Sequence, residues 1–97
     1  MKQIIIDAIE RRNLLEFSYD GHQRVVELHT FGVSKKGNDS LSAYQIEGTS
    51  DKGVVPDWKL FTTSKIVGLK KSDKTFSGTR HGYRKGDSRM AKIYAEL

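Results

Sequence analysis

The feature that most constrains this chain is an abrupt change of hydrophobic period near residue 13. Over residues 2–12, Ile5, Ala8 and Ile9 fall at helical spacing, and Arg11 and Arg12 close the last turn, where cations suit the helix dipole. Asn13 reads as the C-terminal cap. From Leu14 the period is two: Leu15, Phe17 and Tyr19 point one way, Glu16 and Ser18 the other. Asp20-Gly21 then supplies a hairpin turn, because both residue types tolerate the positive φ that tight turns need.

Further strands follow at short intervals. The stretch from about Gln23 to Val33 alternates imperfectly, as a strongly bent strand that changes faces does. After the turn Lys35-Lys36-Gly37-Asn38-Asp39, a third strand runs from Leu41 to Thr49, with Tyr44 and Ile46 on one face. Residues 49–57 are polar, contain the single proline and read as a loop. Trp58 to Thr62 and Lys65 to Lys71 read as the last two strands, joined by one helical turn at Thr62-Thr63-Ser64. Beyond Ser72 the composition shifts to an irregular, Gly-containing stretch. Asp87 then reads as an N-cap, and Met90, Ile93 and Leu97 as the apolar stripe of a final helix that docks on the rest of the domain or on a partner.

Ninety-seven residues make one domain, with residues 1–72 as its main body and 73–97 as an extension of it. The absence of cysteine excludes disulfides and thiolate metal sites. Asp7 interrupts the N-terminal apolar run, and no run approaches transmembrane length, so a cytoplasmic protein without membrane association is expected. The net charge of +5 favours polyanionic partners.

The block Ala8-Ile9, Arg11-Arg12, Leu15, Phe17, Tyr19, Gly21, Arg24, Val26-Glu27, with His29 and Gly32 beyond it, resembles the WYL domain family. The likeness covers roughly residues 4–71. Leu28 stands where the family usually has proline, and the name-giving triplet falls on Ala43, Tyr44 and Gln45. A second family motif falls on Phe61 to Ile66, with Thr62 and Ser64 in place of its arginine and aspartate. The resemblance implies a mainly β (α+β) fold: a five-stranded, bent antiparallel Sm/SH3-like barrel, here with an N-terminal and a C-terminal helix. It also implies a bacterial regulatory module that senses an anionic, nucleotide-like ligand.

The candidate ligand residues follow from that reading and from residue chemistry. Arg24 and Lys65 could meet a phosphate from neighbouring strands, although solvated strand cations are the ordinary alternative. Tyr44 offers a hydroxyl or a stacking ring, or is a core tyrosine. Lys59 lies on the opposite side of its strand from Trp58 and Leu60, facing solvent or a groove. His29 is an anion donor or, more commonly for a strand histidine, a packed and hydrogen-bonded residue. The cluster Arg80-His81-Gly82-Tyr83-Arg84-Lys85 mixes cations, an aromatic and glycines in the way that suits single-stranded nucleic acid, with Arg80 and Arg84 as its contacts; the bland alternative is a solvated connector. The three histidines share no metal-ligand spacing, no cofactor motif is present, and enzyme signatures are absent. The expected function is binding of single-stranded nucleic acid or a nucleotide-like anion. The alternative is a protein-interaction accessory module, homodimeric or attached to a larger regulatory or CRISPR-type protein of a nucleic-acid-processing or phage-defence system.

Overall fold

The computed structural model describes residues 1–51 and 53–97. Helix α1 spans Lys2–Arg11 and buries Ile5, Ala8 and Ile9, the face its spacing predicts. Its C-cap falls one residue before Asn13: Arg12 takes the left-handed conformation (φ 57°, ψ 35°), and its N–H bonds the Ala8 carbonyl. Asn13 instead begins β1, Asn13–Tyr19. Tyr19 pairs with His22 across a two-residue turn in which Asp20 and Gly21 both have positive φ, as the sequence requires. Strand β2 covers His22–Ser34, β3 Asp39–Gly48, β4 Asp57–Thr62 and β5 Val67–Thr75; a 3-10 turn, Thr63–Lys65, joins the last two.

The core lies between α1 and one face of the sheet. Leu15, Phe17, Val26, Leu28, Leu41, Ala43, Phe61 and Ile66 pack there against the helix. Phe17 and Tyr19 each meet Phe61 edge-on, with ring centroids 5.0 Å apart. Leu28 and Phe31 both reach this core although they are three residues apart, because a register shift in β2 between Leu28 and Thr30 breaks the strict alternation.

Two expectations are overturned. The sheet is not a closed barrel: its order is β4-β3-β2-β1-β5, so β4 and β5 stay apart as edges. There is also no C-terminal helix. Met90–Glu96 forms a sixth strand, β6, antiparallel to the far half of β2 from Thr30 to Ser34. The unpaired backbone of β2 there outbids the helical stripe, and Gly32 makes the pairing possible. A β-carbon at Gly32 would run into the Lys92 carbonyl oxygen and sit 3.1 Å from the Ile93 Cα. Asp87 does cap, accepting the Arg89 N–H at 2.9 Å, but it closes a turn rather than a helix. Among the described residues, no helix is long and apolar enough to cross a membrane.

Candidate functional site

The second face of the sheet, away from α1, carries a row of partners: Glu27 on β2, Tyr44 on β3 and Trp58 on β4. The β2 bulge adds His29 to this face. Its imidazole is fully buried, at 0% exposure. Nδ1 donates to the Glu27 carbonyl at 2.9 Å, and Nε2 accepts the Arg80 backbone N–H at 3.1 Å. Only the neutral ring with its proton on Nδ1 makes both bonds. Trp58, Tyr83 and Phe76 surround it, with ring centroids 4.7, 5.2 and 5.8 Å away. Burial lowers the His29 pKa below 6.5; the bond to Glu27 and its charge oppose that shift, and Arg80 adds to it.

Segment 76–89 is thereby strapped onto the sheet. The Arg80 guanidinium forks the Glu27 carboxylate through Nε at 2.6 Å and Nη2 at 2.9 Å, and lies 4.9 Å from the centre of the Tyr44 ring. The Trp58 indole donates to the His81 carbonyl at 3.0 Å. The Tyr83 hydroxyl donates to the Leu97 carbonyl at 2.8 Å, and the Leu97 N–H returns to the His29 carbonyl at 3.0 Å.

Between the strap and the sheet runs a groove of about 510 Å³, lined by Ser42, Trp58 and residues 82–89. That size suits a small organic ligand or one nucleotide unit. Arg89 is held in place, bonding both Asp87 carboxylate oxygens (Oδ2 at 2.9 Å) and the Ser42 hydroxyl at 2.7 Å. The Arg89 bond holds the Asp87 carboxyl below its usual range, against its partial burial. Glu96 adds a second carboxylate at the rim, accepting the Gly86 N–H at 2.9 Å. Arg84 and Lys85 are exposed, and no ion pair engages either among the described residues.

The structure brings His29, Tyr44 and Arg80 together, but as a cluster in which they bind one another. Arg84 lines the groove. Arg24 lies on the other face, 4% exposed in the core, donating to the Gln45 side-chain oxygen at 3.2 Å and the Tyr19 carbonyl at 3.0 Å between the Tyr19 and Phe61 rings. Lys59 pairs in register with Ala43, which places it on that same core side of β4, opposite Trp58. Lys65 is exposed on the 3-10 turn. The sequence reading missed Ser42, Trp58, Lys85 and Arg89 as groove residues. The signal for Lys85 was present in the basic cluster itself, whereas Ser42 and Arg89 meet only through the tertiary fold.

One further relay stands apart. His22 Nδ1 lies 2.7 Å from Thr49 Oγ1, and its Nε2 lies 2.6 Å from Asp51 Oδ1. The order hydroxyl–imidazole–carboxylate has the look of a hydrolytic relay, but none of the three residues lines the groove. It ties the end of β3 to the start of β2. Comparisons with family models, with curated proteins and with solved structures give no match for this chain.

Proposed function

We propose that this domain is a WYL-type regulatory module that binds single-stranded nucleic acid or a nucleotide-like anion in the groove beside Trp58. One observation carries the reading: Arg84 and Lys85, engaged in no ion pair among the described residues, flank a groove whose wall is a hydrogen-bonded indole. Phosphates pair with the cations, and a base stacks on an aromatic side chain. Arg89, already neutralised by Asp87, positions the groove wall.

Fluorescence polarisation with labelled single-stranded DNA and RNA, in a salt series, tests this. Each phosphate contact on a single strand contributes about −0.7 to the slope of log K against log salt, so losing Arg84 and Lys85 together flattens the slope by about 1.4. Undetectable binding at low salt, or binding unchanged in R84A/K85A, rules the reading out.

β4 is an edge strand of the sheet, and its Leu60, 42% exposed, favours a second reading as a protein-interaction module. Light scattering on the purified chain shows whether that edge pairs two copies.

A further inference from the structure

We infer that the groove is gated by acid through His29, which latches the 76–89 strap onto the sheet only while its ring is neutral. This rests on the groove being the binding site and concerns how that site is regulated.

The geometry carries the argument. His29 Nε2 accepts the backbone N–H of Arg80, and a proton on Nε2 turns that acceptor into a donor facing a donor. The protonated ring is also a cation in a fully buried position among three aromatic rings. The charged and titratable groups facing it are few. From β2 itself comes Glu27, whose carboxylate is already engaged by Arg80. From the strap come Arg80, a cation that opposes a second positive charge, and Tyr83, whose hydroxyl is bonded to Leu97. β4 contributes Trp58, which does not titrate, and Tyr44 of β3 lies beyond it. The single favourable carboxylate is therefore shared, and the strap yields sooner than the ring charges in place.

Opening the strap dismantles the groove. Residues 82–89 form most of its lining, and Arg80 anchors them two residues upstream. Acid therefore releases the ligand. Simple electrostatics predicts the reverse, since acidification makes the chain more positive and should tighten a polyanion. The sign of the pH effect separates the two.

The experiment has two arms on the full chain. Amide hydrogen exchange at pH 7.5 and 5.0, corrected for intrinsic chemical exchange, reports the strap without any ligand. The N–H groups of Arg80 and Tyr83 should lose at least tenfold protection at pH 5.0, while Leu15, Phe17 and Val26 keep theirs. Protection unchanged at Arg80, or lost equally in those core residues, overturns a local gate. In the second arm, a fluorescein-labelled oligothymidylate is titrated at both pH values and constant ionic strength. Affinity should fall at least fivefold at pH 5.0, and H29Q should lose that dependence; tighter binding at pH 5.0 overturns the gate. If the oligonucleotide binds at neither pH while the strap still opens, the ligand reading fails and the latch stands.

Discussion

Glu27 and Arg80, 53 residues apart in the chain, are joined by two hydrogen bonds of 2.6 and 2.9 Å, yet the two partners sit in different surroundings. The Glu27 side chain is 5% exposed and that of Arg80 46%. Losing the arginine strands a buried carboxylate, whereas losing the carboxylate leaves a guanidinium that water can serve. R80A should cost about 2–3 kcal/mol and E27Q about 1 kcal/mol. Urea denaturation of the two variants checks the order, and equal losses would show that the pair is solvated on both sides.

The pH dependence of stability has a definite sign. Burial depresses the folded-state pKa of His29 below the ordinary 6.5, so the unfolded chain binds the proton more readily. Stability is complete above about 6.5 and declines as pH falls below it, until the folded ring also titrates. Asp87 adds a second loss at lower pH, since its Arg89 bond holds its pKa below 3.8. Urea midpoints from pH 8 to pH 4 should fall on the acid side of 6.5, and H29Q should remove the first decline.

At Gly32 the β6 backbone lies close against β2. G32A drives a methyl group into the Lys92 carbonyl and should cost about 2 kcal/mol or more, an overpacking penalty with little room to relax. Amide protection should be lost first over Met90–Glu96. A fully protected β6 in G32A would mean that the two strands separate without penalty.

Arg24 should behave as a structural residue. R24A leaves the Gln45 oxygen and the Tyr19 carbonyl without their donor and opens space beside Phe61, at a cost of about 2–4 kcal/mol. Oligonucleotide affinity of the folded fraction should stay within about twofold, because the guanidinium faces away from the groove. R84A/K85A should show the reverse, with stability unchanged and affinity reduced. An affinity loss in folded R24A would return Arg24 to the ligand site.

The N-terminal half of the molecule was legible because its signals are local. The spacing of Ile5, Ala8 and Ile9, the alternation of Leu15, Phe17 and Tyr19, and Asp20-Gly21 each act within a few residues and agree with one another. Met90, Ile93 and Leu97 were misleading for the opposite reason. Their helical spacing is real, but Thr30–Ser34 of β2 offers backbone partners that no local pattern reveals. The closed barrel failed with them, since it came from likeness in residues 4–71 and not from any pairing between β4 and β5. Of the candidate site residues, Arg84 lines the groove, and His29, Tyr44 and Arg80 form the cluster that supports its strap. Arg24 looked like a surface cation because charged residues seldom lie in cores; of the two rings that flank it, Tyr19 lies across the adjacent hairpin but Phe61 comes from a distant part of the chain.

β2 serves three neighbours: β1 over His22 to Val26, β3 over Arg24 to Val33, and β6 over Thr30 to Ser34. Its pairings with β1 and β3 close short hairpins, whereas Thr30 must wait for Glu96, 66 residues later. Loops of that length cost more entropy to close than the hairpins, a cost β6 shares with β5, whose Thr75 pairs with Asn13; the strap and β6 come last in the order of assembly because synthesis reaches them after β5. A ribosome-bound chain can therefore complete α1 and β1–β5 while the groove does not yet exist. The same ordering marks the C-terminal edge as the first part to fray when the native molecule breathes.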